Sequence, residues 1–346
     1  MSHSYQLIWF RQDLRIHDHA ALWHATQAGQ CIALVILSPE QWQQHDDAPI
    51  KIEFYLRQLQ QLKQQLNTLN IPLTIQHIPL WKDVGNFFTE LLQRINIENV
   101  YANIELGVNQ LKRDHDVQEV LNQQQKELIL FHDRTLFPVR SIRNQSNLPY
   151  QVFGAFKKTC YQRLQHGLPQ CYPLPDAQRP LAEDFSFFNQ ANLTTLQQAY
   201  AYKQARDFPA QVSTSQISAY LNIGILSIRQ CIQALFRQQH GDFVIQSESQ
   251  QVWLDELLWR EFYQHILFDF PQVSRHLPFK SSTQNIPWRD DPIALEQWQQ
   301  GKTGIPIVDA GMRQLLATGW MHNRVRMICA MFLSKNLLID WRKGEQ

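Results

Sequence analysis

The stretch LIWFRQDLRIHDHAAL, residues 7–22, decides the fold of this chain. Its first half, an apolar run from Gln6 to Phe10, reads as a buried strand of the kind that opens a parallel α/β sheet. Such a strand commonly runs into a glycine-rich turn that cradles a nucleotide phosphate. Here it runs into Arg11, Asp13, Arg15, His17 and Asp18, and the first glycine is Gly29. The sheet opens without a phosphate-binding turn, so a cofactor, if there is one, must be held elsewhere.

The rhythm set by that strand continues. Short apolar runs at 6–10, 31–37, 71–78, 97–102 and 128–131 alternate with helical patterns near 18–28, 50–69, 83–95 and 108–124. In IEFYLRQLQQLKQQLNTL, Ile52, Leu56, Leu59, Leu62 and Leu66 recur at helical spacing. Strands alternating with helices of this size predict a doubly wound parallel sheet in an α/β domain over 1–132. Six of the sixteen prolines then fall between Pro138 and Pro180, which marks 133–195 as a long connection carrying one helix-like stretch, YQVFGAFKKTCYQRLQ. From 196 to 346 helical periods dominate, and tryptophan, absent from 82 to 252, occurs six times between Trp253 and Trp341. An all-α second domain is expected there.

The totals bound the function. A length of 346 residues, 44% hydrophobic and 18% charged, suits about two soluble globular domains. The N-terminus has no apolar signal-peptide core, and the longest aliphatic run, CIALVIL at 31–37, is far short of the roughly 18 residues that a membrane span needs. A cytoplasmic protein without a membrane segment is expected. Five widely spaced cysteines with no C-x-x-C pattern suit small core residues better than disulfides or a zinc ribbon. Net charge is +1, but residues 301–346 carry seven basic against three acidic side chains. That excess suits a polyanion-facing surface or a solvated helix face equally.

Three stretches could carry chemistry. In RDFPAQVSTSQISAYLNIGILS, 206–227, Thr214, Ser215 and Ser218 cluster with no acid among them where an apolar helix begins. Hydroxyls and amides at a helix start can hold a phosphate or simply cap the helix. In VWLDELLWREFYQHILF, 252–268, Glu256, Trp259 and Arg260 stand at i, i+3 and i+4, with Trp253 one turn before Glu256. An acid, an arginine and two indoles offer hydrogen bonds beside stacking surface, and base-on-aromatic stacking is worth roughly 1–3 kcal/mol per base. Trp253 taken alone suits a core better, but an acid beside it on a core face needs a partner. In 301–344, Gly304-Ile305-Pro306 opens a helix, Gly319 breaks it and WMHNRVRM opens another, with Asn323, Arg324, Arg326 and Met327 within about one turn. His322 lacks a carboxylate or nucleophile at useful spacing and reads as structural; His17 and His19 lack a third metal ligand. There is no G-x-S-x-G, H-E-x-x-H, Walker or G-x-G-x-x-G motif, so hydrolase and dehydrogenase readings have no support.

Taken together, WFRQDLRIHD, RDFP…TSQIS, ELLWREFY, GKTGIPIVDAGMRQL and TGWMHNRVRM, in that order, resemble the photolyase/cryptochrome family. Within it they look like the class I photolyases, which split cyclobutane pyrimidine dimers in DNA with light. The resemblance implies an antenna-binding domain over 1–132 and a helical FAD- and DNA-binding domain over 196–346. It implies that Tyr202, Thr214, Ser215, Gln216, Ile217 and Ser218 wrap the phosphate and ribitol side of a folded FAD, with Trp253 and Arg326 nearby. Gln216 stands where the family usually has arginine.

By the same likeness Trp259 is the stacking wall for a flipped-out dimer, Glu256 its hydrogen-bond partner, and Asn323 and Met327 line the substrate side. Arg206 and Arg324 face DNA phosphates, and residues 256–263, with Arg260 and Tyr263, border the duplex. Excited reduced flavin would donate an electron to the dimer and recover it after the ring opens, so no general acid or base is required. Trp288 and Trp341 match members of the family's electron-transfer chain. His45, Asn109, Gln110 and Arg275 fall where a methenyltetrahydrofolate antenna is held, Gln110 replacing a glutamate and Arg275 a lysine. NRVRM favours the cyclobutane-dimer class. A blue-light photoreceptor without repair is the second reading. Because the family continues past LLIDWRKGE, the chain reads as C-terminally truncated, and an inactive remnant is the third. A monomer acting on double-stranded DNA is expected.

Overall fold

A run of six residues with no polar face belongs in the middle of a sheet. In the computed structural model, which describes residues 4–181, 183, 185 and 217–345, β1 (Tyr5–Phe10) is buried along its whole length. Beside it lie β2 (Cys31–Leu37) and β4 (Ile97–Asn103), with β3 (Leu73–His77) outside β2 and β5 (Leu128–Phe131) outside β4. All four pairings are parallel, β1 meeting β2 from Gln6↔Cys31 to Phe10↔Val35. A parallel sheet needs a helix in each crossover. Those helices are α1 (Ala20–Ala28), α2 (Pro39–Gln44), α3 (Pro49–Thr68), α4 (Val84–Arg94) and α5 (Val108–Gln123). On one face Trp9 packs on Phe88 of α4 at 5.2 Å, in a cluster with Val117 and Leu121 of α5. The α/β expectation holds strand for strand.

The described residues form two compact units. One joins the sheet and its helices to residues 217–275; the other comprises 48–50 and 276–345. The division expected from composition, at 132 and 195, groups the chain differently. Within the first unit, α6 (Phe153–Leu164), α7 (Ser218–Asn222), α8 (Ile228–Leu235) and α9 (Glu248–Asp269) follow the sheet. Phe156, Cys160 and Leu164, four residues apart on α6, bury against Leu254, Leu258 and Phe262 of α9. Ser227 and Gln230 form a reciprocal capping box at the start of α8, satisfying two otherwise unpaired amides.

The second unit has its own core. Its helices are α10 (Pro292–Gln299), α11 (Pro306–Thr318), α12 (Asn323–Met331) and α13 (Trp341–Glu345). Trp298, Met312, Met321, Cys329 and Leu333 meet at its centre, and the Trp298 indole donates to the Cys329 carbonyl at 3.0 Å. A Cβ on Gly311 would lie 2.4 Å from Val325 and 3.0 Å from Cys329, so glycine sets the close approach of α11 and α12. As the sequence suggests, Pro306 starts α11 and Gly319, at φ 69°, ends it. Asp309 fastens the preceding turn by accepting from the Thr303 amide and hydroxyl and the Gly304 amide at 2.6–3.0 Å. His322 is the cap of α12, its Nδ1 accepting from the Arg324 amide at 3.2 Å.

Candidate functional site

The charged turn after β1 is not a surface loop. Arg11, Asp13, Arg15, Asp18 and His19 are all buried. Arg11 binds both carboxylate oxygens of Asp114, at 2.8 and 2.7 Å. Asp13 accepts from His19 at 3.0 Å and from Asn103 at 2.9 Å, while His19 Nδ1 caps α1. Arg15 reaches Asp133 at 2.6 Å, and Arg229 of α8 reaches Asp133 at 2.6 Å and Asp18 at 2.9 Å. Burial works against the charge on Asp133, but Arg15 and then Arg229 outweigh it and hold its carboxyl well below the usual range. The turn therefore spends its charges joining the sheet to the helices of its own unit. Gly224 seals the joint: at φ 71°, its position would put a Cβ 2.4 Å from the Gln12 carbonyl oxygen.

Helix α9 carries the first group of expected site residues. Ser247 caps it, accepting from the Gln250 amide at 3.2 Å. Trp253 is half-buried against the helical core, and Glu256 is exposed. Trp259, half-buried, stands in a group of near-parallel rings, with Phe153 of α6 at 3.6 Å and 13° and Tyr263 at 5.7 Å and 24°. Tyr263 is 59% exposed, so the stack reaches the surface. Arg260 turns inward, donating to the carbonyls of Arg134 at 2.8 Å and Leu221 at 3.3 Å. The shared face therefore divides by side-chain reach. Its acid meets water, its indole meets other rings, and its arginine meets backbone.

Sequence reasoning missed Glu261. Fully buried on α9, it accepts from the Leu136 and Phe137 amides at 2.8 and 2.9 Å and from His265 at 3.2 Å. It clasps the segment after β5 to α9. Phe153, one face of the Trp259 stack, was also missed; nothing in its local pattern separates it from a core phenylalanine.

In the second unit, Asn323, Arg324, Arg326 and Met327 are exposed on α12, where Ile328 and Met331 add apolar surface. Trp288 and Trp341 are half-buried, and the Arg342 guanidinium lies 5.2 Å from the Trp341 ring centre.

The expected antenna residues come together in part. His45 Nε2 lies within hydrogen-bond distance of the side-chain amide nitrogens of Asn109 and Gln41, each at 3.1 Å, and the ring sits edge-on to Trp81 at 5.0 Å. Burial lowers the His45 pKa, which suits a neutral ring that accepts. Gln110 follows Asn109 on α5, and the turn Pro271–Arg275, with Arg275 exposed, lies against that helix.

Tyr202, Arg206, Thr214, Ser215 and Gln216 lie outside the described residues. Of the expected flavin set, Ile217, Ser218 and Trp253 are described in the first unit and Arg326 in the second. Ile217 stands at the cap of α7, and its side chain makes no cap hydrogen bond. Among the described residues no cluster of His, Cys, Asp and Glu could hold a metal ion, and no helix is long and apolar enough to cross a membrane.

Comparison with known proteins bears on this arrangement directly. Residues 6–175 match the family model for DNA photolyase, and residues 253–346 match the model for the FAD binding domain of DNA photolyase. The chain is 38% identical to the deoxyribodipyrimidine photo-lyase of Escherichia coli (strain K12), across 98% of this chain and 76% of that protein. It is likewise 38% identical to the Vibrio cholerae protein of that name, across 99% of this chain and 78% of the relative. Among solved structures, a class III photolyase from Agrobacterium tumefaciens superposes with a TM-score of 0.79 at 26% identity, covering 99% of this chain and 75% of that one. A cryptochrome from Synechocystis superposes with a TM-score of 0.77, also at 26% identity and over 99% of this chain and 78% of that one. The chain belongs to the DNA photolyase family.

Proposed function

We infer that this chain is a deoxyribodipyrimidine photo-lyase, repairing cyclobutane pyrimidine dimers in double-stranded DNA with light and FAD. The observation that carries the reading is the identity of 38%, along 98% of the chain, to a protein of that name. FAD, when bound and reduced, supplies the light-driven electron. The protein's own residues recognise and position the substrate. Glu256, exposed on α9, accepts a hydrogen bond from a base edge. Trp259 offers stacking surface for a base that has left the helix, a displacement that damage makes cheaper because a dimer stacks and pairs poorly. Tyr263 borders the duplex, Asn323 and Met327 line the substrate side, and Arg324 and Arg206 bind backbone phosphates, giving sequence-independent, salt-sensitive affinity.

Tyr202, Thr214, Ser215, Gln216, Ile217, Ser218, Trp253 and Arg326 form the flavin-holding set in this reading. Trp288 and Trp341 pass electrons. His45 and Asn109, already in contact, are joined by Gln110 and Arg275 in holding a methenyltetrahydrofolate antenna. The functional division is an antenna domain at 1–132, a connection at 133–195 and the flavin- and DNA-binding domain at 196–346. A monomer in the cytoplasm completes the reading on the strength of the family likeness.

The test is repair of an oligonucleotide carrying one thymine dimer by FAD-reconstituted protein, under blue light and in darkness. Light-dependent restoration of intact thymines is expected. Equal dimer content in light and dark, from protein that retains FAD, would overturn the assignment. Flavin photoreduction without affinity for the dimer would instead favour a photoreceptor.

A further inference from the structure

The strand order β3-β2-β1-β4-β5 reverses direction between β1 and β4. In open parallel sheets, ligands seat beyond the carboxyl ends of the strands at such a reversal. Here that crevice is a small hollow lined by Arg15, Asn103, Asp133, Arg134, Ser227 and Arg260 among others, all in the first unit. It holds about 20 Å³ of space for the centres of water-sized groups, besides its open mouth. One water needs roughly 10–15 Å³ of such space, so the interior takes one or two polar atoms.

Its charges are unevenly matched. Arg11 pairs with Asp114, Arg15 with Asp133, Arg113 with Glu105 and Asp114, and Arg229 with Asp18 and Asp133. Arg134 and Arg260 form no ion pair with any described carboxylate. Arg134 donates to the side-chain oxygens of Gln12 at 3.1 Å and Asn222 at 3.2 Å, and Arg260 donates to two main-chain carbonyls. The acids lining the hollow are engaged elsewhere. Asp13 is held by His19, Asn103 and the Arg11 amide, Glu105 by Arg113, and Asp133 by two arginines. Burial, and after it the neighbouring Arg134, pushes the Arg260 guanidinium down to about 10 against the weaker pull of Glu261 and Asp133, acids already committed to other partners. A guanidinium presents several N–H groups in a plane, and neutral partners leave some of them for an oxyanion.

We propose that this hollow binds one small free oxyanion of phosphate size, two of its oxygens between Arg134 and Arg260 and the others toward the mouth. The site needs neither flavin nor damaged DNA, so it stands or falls apart from the repair reading.

The test titrates the full chain with inorganic phosphate by calorimetry at fixed ionic strength. One saturable site per chain is expected. Arg134→Gln and Arg260→Gln should each weaken it at least tenfold, while Arg57→Gln, at an exposed arginine paired among the described residues with Glu53 on its own helix, leaves it unchanged. Thermal midpoints separate binding from scaffolding. Without phosphate the Arg134→Gln midpoint sets the baseline, since the guanidinium is attracted by Glu105, Asp13 and Asp133 as well as repelled by Arg260. With saturating phosphate the wild type should rise above the variant by linkage. Non-saturating heats, equal heats in all variants, or an Arg134→Gln midpoint lower by the same amount with and without phosphate would overturn the proposal. Displacement of phosphate by an undamaged duplex would also overturn it, by assigning the arginines to a DNA backbone.

Discussion

Replacing Asp133 by asparagine keeps the size of the side chain and removes one charge from the joint between sheet and helices. The carboxylate is 4% exposed and accepts from Arg15 and Arg229, each at 2.6 Å. Breaking a buried pair from one side costs about 3–5 kcal/mol, because the surviving charge is stranded. Arg229 would keep Asp18, and Arg15 would keep the carbonyls of His17, Asp18 and Gly224. The expected loss therefore lies at the lower end, ~3 kcal/mol. Urea denaturation followed by circular dichroism reads it at pH 7. The pH profile supplies a second check. The folded-state pKa of Asp133 is depressed, so its contribution is complete above the unfolded value of ~4 and is lost as pH falls through the folded value. The gap between wild type and variant should stay flat from pH 7 to about 5 and close in stronger acid. A loss under ~1 kcal/mol, the size of an ordinary neutral hydrogen bond, would refute the view that charge locks this joint. A gap that widens in acid would refute it too.

Three further outcomes are expected. Gly224→Ala forces a β-carbon into a left-handed backbone against the Gln12 carbonyl, and should destabilise by about 1–3 kcal/mol from the backbone strain alone; an unchanged urea midpoint would contradict the close approach. Trp259→Ala should weaken binding to a dimer-containing oligonucleotide by roughly 1–3 kcal/mol while sparing undamaged duplex; equal losses on both would assign Trp259 to scaffolding. Arg324→Gln should flatten the salt dependence of DNA binding by about one unit in the log–log slope, measured by fluorescence anisotropy; an unaltered slope would remove it from the phosphate contacts.

The sheet was legible because its strands are buried on both faces and carry no competing pattern: CIALVIL and LIWF can do little else. Helix α2 escaped notice because PEQWQQ is six residues long, too short for a helical period to emerge. The turn after β1 shows the limit of local reading. A run of Arg, Asp, Arg, His and Asp looks like surface, and its burial depends on Asp114, Asp133 and Arg229, residues distant in sequence. On α9 the spacing placed Glu256, Trp259 and Arg260 on one face but could not tell where a long guanidinium would turn. Phe153 lies more than a hundred residues from the indole on which it stacks, so no window along the chain could have paired them.

The arginine–aspartate joint also constrains how members of this family can be recombined. Asp18 and Asp133 come from the front of the chain and Arg229 from the middle. A chimera spliced anywhere between 134 and 228 inherits acids from one parent and the base from the other. Such a hybrid keeps the stability of the joint only if both parents supply matching halves of the lock, whatever their likeness elsewhere.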